Sequence, residues 1–437
     1  MTDRLSEEVM NKQFTVSIIG CGSRGGDAYG QLMYREKDFF RIVSLCDINR
    51  ERLMHYGALF QVEENLLFDS EEEFFMKKRS DVLVIATQDR DHVRMCRRAL
   101  ELGYEILLEK PVSPMKEELI DLLATYDKYP HNVVVCHVLR YAPAFRKVKE
   151  LLEQGVIGRL VMIDALEQVS YWHQAHSFVR GNWRSEKETS PMIMQKCCHD
   201  LDLLQYYADS VAETVYSAGS LTFFTHANMP RNAATRCKDC PLIESCPYSA
   251  ERVYVARWKD AGCPLDAWPY NVVATAPLTE EKLRVAYENG SYGRCVFACD
   301  NDVVDHQSVS VVFRNGVQAN LTMTAFTYES GRKYTFHGTA GEIRLDEDRD
   351  LLCVMPFGQS REDIRISDLV EEMSSFGHGG GDYGLIQAFY KILTGVGPSD
   401  TALERSVESH LLALAAEQSR KSGKVVFLHD VKEGEEE

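Results

Sequence analysis

The chain has 437 residues, 45% of them apolar and 26% charged, which is the composition of an ordinary globular protein with two or three domains. A formal net charge of −17 with no offsetting basic cluster argues against nucleic acid or an anionic membrane as partner. No run of about 18 apolar residues is long enough to span a membrane, residues 1–13 lack the apolar core of a secretion signal, and Glu433–Glu437 reads as a solvated tail. Thirteen cysteines, an odd number with many in core-like segments, point to a reducing cytoplasm rather than a disulfide framework.

The apolar run at Phe14–Ile19 breaks into Gly20-Cys21-Gly22-Ser23-Arg24-Gly25, with the glycine spacing of a dinucleotide fingerprint. Gly20 permits the tight strand-to-helix turn, Gly22 lets the backbone approach a pyrophosphate, and Gly25 lets helix and strand pack closely. The free N–H groups of the following helix would then hold the phosphates. A second strand, Arg41 to Asp47, ends on a carboxylate 22 residues beyond Gly25. That is near the ~20-residue offset at which an acid meets the ribose hydroxyls. Asp47 therefore favours NAD, while Arg50, which suits a 2′-phosphate, keeps NADP open. The plainer role for Asp47 is a helix cap.

Asp81–Thr87 reads as a buried strand, Asp91–Gly103 as a helix, and Tyr104–Glu109 and Val133–His137 as further strands. This alternation predicts an α/β fold, with a doubly wound parallel sheet of Rossmann type over residues 1–140. Ligands of such sheets collect beyond the strand ends, which sends Thr87, Gln88, His92, Glu109 and Lys110 toward the nicotinamide. From residue 141 the pattern changes to long alternating segments: Leu160–Tyr171, Glu213–Phe224, Gln307–Arg314, Val317–Tyr328 and Lys333–Gly338. They predict an α+β domain over 141–437 with a mostly antiparallel open sheet, an insertion at about 225–300, and closing helices at Asp382–Thr394 and Thr401–Ser422.

Several groups carry chemistry. Lys110, in Glu109-Lys110-Pro111, suits hydrogen bonding to cofactor and substrate hydroxyl and stabilisation of an alkoxide, although a strand-end lysine is also an ordinary surface residue. In Lys196–Asp202, His199 and Asp202 share a helix face at i,i+3, so the carboxylate would orient the imidazole as a general base; the alternative is a helix-end histidine with an incidental ion pair. His173, His176, Arg180, Trp183 and Arg184 offer donors and stacking faces for a polyol or sugar acid, or else form a surface loop. Tyr292–His306 and His378–Asp382 are similar candidates. Cys237, Cys240 and Cys246 form C-x2-C-x5-C and Cys263 follows; the four would close a zinc site, or second an iron–sulfur site, or are simply inert thiols.

In one order along the chain stand Gly20–Gly25, Ile85–His92, Glu109-Lys110-Pro111, Arg140-Tyr141-Ala142-Pro143, Gly155–Gly158 and His199-x-x-Asp202. Together they make the chain similar to the Gfo/Idh/MocA oxidoreductases. The resemblance implies a Rossmann domain, a C-terminal α/β domain whose open sheet builds a homodimer or homotetramer, and NAD(P)-linked oxidation or reduction of a sugar, cyclic polyol or sugar derivative. It places Lys110 and His199 at the reacting carbon and Ser23 and Arg24 at the cofactor; Arg140, Tyr141, His173, Arg184 and Lys196 are the substrate candidates. Many members carry an Asp four residues before the histidine, where this chain has Gln195, a side chain that cannot act as a base. Two further readings stay open: a glycoside hydrolase that uses NAD for a transient oxidation, and a non-enzymatic metabolite sensor.

Overall fold

Two sheets carry the molecule, and the computed structural model describes them through residues 12–129, 131–370 and 377–433. The polar start and the acidic tail beyond residue 433 lie outside those residues. The first sheet is built from Phe14–Ile19 (β1), Phe40–Cys46 (β2), Leu67–Phe68 (β3), Val82–Ile85 (β4), Glu105–Leu108 (β5) and Val133–Val135 (β6). Its order is β3-β2-β1-β4-β5-β6, with every pairing parallel. Strands covered on both faces need apolar side chains on both, which is why Val82–Ile85 is buried at every position. The strand order reverses between β1 and β4, and that switch point opens a crevice beyond their carboxyl ends.

The glycine turn lies at this crevice. Gly20 has φ +87°, and a Cβ there would stand 2.4 Å from the Ala86 carbonyl oxygen. A Cβ on Gly25 would meet the Gly20 oxygen at 2.0 Å. Only glycine lets β1 turn and its helical continuation, Ser23–Gly30 and then Gln31–Arg35, pack back against it.

The second sheet comprises Leu160–Gln168 (β7), Ala212–Ser220 (β8), His306–Phe313 (β9), Gln318–Thr324 (β10), Gly331–Gly338 (β11), Gly341–Asp346 (β12), Leu351–Pro356 (β13), Glu362–Arg365 (β14) and Val426–Phe427 (β15). Its order is β14-β13-β12-β11-β7-β10-β9-β8-β15. The β7–β10 pair is parallel and the other named pairings are antiparallel. Alternate residues such as Ile163, Val309, Leu321 and Phe336 face inward onto the helices Cys198–Ala208 (α1) and Leu403–Ser422 (α3). A third helix, Gly381–Leu393 (α2), returns to the first sheet, where Leu385, Ile386 and Phe389 join the core of Phe14, Phe40 and Val138.

The predicted strand Leu160–Tyr171 ends early at Gln168, and Ser170 follows with φ +67°. Strands β12 to β14, β3 and β15 escape the sequence reading; the last two are too short to show an alternation. The segment 225–300 is helical, with a small core of its own around Tyr254, Trp258, Leu283 and Tyr287.

The Gly20→Ala variant should lose roughly 1–3 kcal/mol through backbone strain at positive φ, with further loss from the clash at Ala86. Thermal unfolding would show a lowered Tm, and an unchanged Tm would contradict this account of the turn.

Candidate active site

The crevice at the switch point widens into a cavity of about 330 Å3 whose walls include Gly22, Ser23, Arg52 and Gln88. Asn271, Thr275 and Ala276 from the 225–300 segment form its far side, together with Trp183 and Tyr292. Asn271 Nδ2 donates to Asp27 Oδ2 at 3.2 Å, so the inserted segment is tied directly to the first domain. Asp47 is buried beside the turn, and its carboxylate accepts from the Cys21 N–H at 2.7 Å and the Asn49 N–H at 2.8 Å. Arg52 stands 3.6 Å from the same carboxylate. Arg50 instead points to Asp69 at 3.3 Å and Glu64 at 4.0 Å.

Arg24 is drawn into ion pairs within the protein. Its Nε donates to Glu109 at 2.8 Å and its other nitrogens to both Asp382 oxygens at 2.7 and 3.1 Å, while the guanidinium lies over the Tyr29 ring. Burial would raise Glu109, but the charges of Arg24 and Lys110 outweigh it and hold the carboxyl below its ordinary range. His92 is likewise occupied by the backbone, with Nδ1 2.7 Å from the Pro111 oxygen and Nε2 3.3 Å from the Thr87 oxygen. It bridges the two loops that flank the crevice. The Thr87 hydroxyl points to Met95 Sδ at 3.5 Å.

Lys110 lies near His199, close enough for its charge to act on the ring. The Lys110 ammonium donates to the Gln195 carbonyl at 3.1 Å, just ahead of α1, which carries His199. His199 is 5% exposed and its Nδ1 has no hydrogen-bond partner. Burial first, then the charges of Lys110, His137 and His378, push its pKa well below the ordinary histidine value, so the ring is a neutral base. It stands in a row of imidazoles: His378 lies 6.0 Å from it, His137 5.8 Å on its other side, and His410 5.5 Å beyond His137. His378 in turn rests on Asp382 at 3.2 Å.

The expected His199–Asp202 pair does not form. Both Asp202 oxygens accept from the Arg140 guanidinium at 2.7 Å, because Arg140 is buried in the same core with no other carboxylate to meet its charge. Arg140 also donates to the Asp400 carbonyl at 2.8 Å, and the Tyr141 hydroxyl bonds Thr401 at 3.0 Å. Arg140 and Tyr141 are thus held by contacts within the protein. Arg184 pairs with Asp300 at 2.9 Å and Glu188 at 3.0 Å.

His173 and Lys196 lie near Lys110. Burial first, then the charges of Lys196, His176, Arg332 and Lys110, push the His173 pKa well below its ordinary value. Lys196 bonds Glu167 at 3.1 Å, Glu167 bonds Arg332 at 2.9 Å, and Arg332 bonds Asp200 at 2.9 Å. Glu167, Arg332, Asp200, His137 and His410 escaped the sequence reading. The first two carried a signal, since each falls on the inward-facing set of its strand, in register with Ile163 and Ala165 or with Tyr334 and Phe336.

The predicted set Cys237, Cys240, Cys246 and Cys263 does not assemble, because Cys263 sits exposed in the turn after Arg257–Asp260. Among the described residues no group of three or more His, Cys, Asp and Glu side chains is placed to hold a metal ion.

Comparison with known proteins gives this geometry a setting. A family profile described as "Oxidoreductase family, NAD-binding Rossmann fold" matches residues 14–137. Another, "Oxidoreductase family, C-terminal alpha/beta domain", matches residues 149–428. The putative oxidoreductase YteT of Bacillus subtilis (strain 168) is 23% identical over 397 residues, which is 86% of this chain and 88% of that protein. An inositol 2-dehydrogenase of Corynebacterium glutamicum (strain R) is 25% identical over 204 residues, 46% of this chain and 56% of its own length. The fold matches that of an oxidoreductase from Agrobacterium radiobacter, solved with NAD+, L-tartaric acid and magnesium, with a TM-score of 0.66 at 15% identity over 96% of this chain and 99% of that one.

Two outcomes follow from the buried charges. Arg140→Ala leaves Asp202 ionised and unpaired in the core and should cost about 3–5 kcal/mol, seen as a large fall in Tm; a stable variant with only a raised KM would restore Arg140 to the substrate site. Burial lowers His137 to about 4 and His410 to about 3. The folded chain thus binds fewer protons than the unfolded one below the ordinary value of 6.5, and stability present above that pH is lost as pH falls toward 4. A Tm that is flat over that interval would contradict it.

Proposed function

The chain belongs to the Gfo/Idh/MocA oxidoreductase family, and on that basis we propose that it moves hydride between NAD and the alcohol or carbonyl carbon of a sugar, cyclic polyol or sugar derivative. The observation that carries this reading is that Lys110, just past the end of β5, bonds the carbonyl of Gln195 ahead of α1 and acts by its charge on the neutral, buried His199. The crevice fits the cofactor: a Cβ on Gly22 would meet nothing nearer than the Arg52 side chain at 3.6 Å, and Ser23, Gln88 and Arg52 line the space beside it. Bound there, the dinucleotide supplies the hydride acceptor or donor.

The side chains of this protein do the rest. Lys110 donates a hydrogen bond to the reacting oxygen and offsets its developing charge. His199 takes the hydroxyl proton in oxidation and returns it in reduction. His173 and Lys196 present donors to the remaining hydroxyls or to a carboxylate, with Glu167 and Arg332 bracing Lys196, which accords with the inositol and L-tartaric acid in the names of similar proteins. Asp47 disfavours a 2′-phosphate, and Arg50 is already held by Glu64 and Asp69, so NAD is the proposed cofactor over NADP.

The outer face of the second sheet exposes Val161, Tyr216, Val312 and Phe427, and we assign it to self-association as a homodimer or homotetramer. No helix among the described residues is long and apolar enough to cross a membrane, and all thirteen cysteines are free, in keeping with a reducing cytoplasm.

Lys110→Ala and His199→Ala should each lower kcat/KM about 10²–10⁴-fold while NAD still binds by calorimetry. Near-normal turnover in either would overturn the assignment, and product formation without NADH accumulation would favour the transient-oxidation reading. Because His199 is held neutral, the acid limb of the oxidation pH profile should lie below the ordinary histidine value of 6.5.

A further inference from the structure

Cys237, Cys240, Cys246 and Cys295 line a single cavity of about 280 Å3 between the inserted segment and the chain that leads into β9. The first three come from one C-x2-C-x5-C run, while Cys295 lies far away in sequence. A backbone bridge brings it in: Arg236 pairs with Arg294, and the Cys295 N–H donates to the Thr235 carbonyl at 2.9 Å. The remaining wall is largely apolar, with Phe223, Leu242, Ile243 and Phe297.

One buried cation faces these thiols. Arg180, 1% exposed, donates Nε to the Arg294 carbonyl and an Nη to the Tyr248 carbonyl, both at 2.7 Å. The same Nη lies 3.6 Å from Cys237 Sγ, and the other Nη, on the side of Tyr254, makes no hydrogen bond of good geometry among the described residues. A fully buried guanidinium with an unused donor calls for negative charge beside it. One sulfur is also met by a backbone amide: Ala250 N–H donates to Cys237 Sγ at 3.4 Å, a contact that favours a thiolate.

A zinc ion bonded at ~2.3 Å would draw four sulfurs onto one point. These four surround a space instead, in line with the absence of a described group converged for one metal ion. A cubane cluster, which holds its cysteines apart around itself, fits that arrangement. We propose that the protein binds a [4Fe–4S] cluster through Cys237, Cys240, Cys246 and Cys295, with Arg180 and the Ala250 amide offsetting its negative charge. The cluster pins the Cys237–Cys246 loop to the far end of the same inserted segment, whose Asn271, Thr275 and Ala276 wall the dinucleotide cavity.

Full-length protein purified without oxygen and reconstituted with ferric iron, sulfide and dithiothreitol, the thiol reducing half of the iron, should hold about four iron and four acid-labile sulfide per chain, with a visible charge-transfer band that dithionite bleaches. Cys295→Ser should lose the iron, and Cys263→Ser should keep all of it. Folded wild-type protein without iron and sulfide after reconstitution, or with zinc and no sulfide, would overturn the proposal. So would loss of the cluster in Cys263→Ser, which tests the ligand set even where Cys295→Ser does not fold.

Discussion

The Arg24 guanidinium holds together three parts of the chain that are remote in sequence. It leaves the glycine turn, pairs with Glu109 at the end of β5, and reaches Asp382 at the start of α2. Its partners are nearly fully buried, so losing either would strand charge in a low-dielectric interior, a change that costs several kcal/mol. The proposed site is referred to this point: Glu109 precedes Lys110, and Asp382 bonds His378, which lies beside His199. The glycine turn and the lysine and histidines of the proposed site thus share one electrostatic anchor.

The second domain contributes more than a floor for substrate. Helix α2 packs into the core of the first sheet, so the chain returns to its own beginning and the two domains share apolar packing. Helix α3 supplies His410, whose Nε2 accepts from the Val112 N–H at 2.9 Å immediately after Lys110 and Pro111. The histidines stay neutral because burial and neighbouring cations both disfavour their charged forms.

Where sequence and structure part, the cause is competition for charge. An i,i+3 spacing brings His199 and Asp202 onto one helix face, but it says nothing about Arg140, sixty-two positions before Asp202, which takes both carboxylate oxygens. The same limit governs the cysteines. Local spacing links Cys237, Cys240 and Cys246, whereas the choice of Cys295 over Cys263 follows from a bridge between Arg236 and Arg294. Glu167 and Arg332 were readable as charges on inward strand positions, yet their pairing needed β7 and β11 to be neighbours.

Residue order was enough for the parallel sheet, the glycine turn, Asp47 after the second strand and Lys110 after β5, because these depend on local backbone geometry and the burial pattern of single strands. It was enough, too, for a helix that carries His199. Which charges meet, which histidines line up and which thiols share a cavity emerged only on packing. Those are contacts between segments far apart in the chain, settled by desolvation: a buried charge takes whatever opposite charge or donor the packing delivers to it.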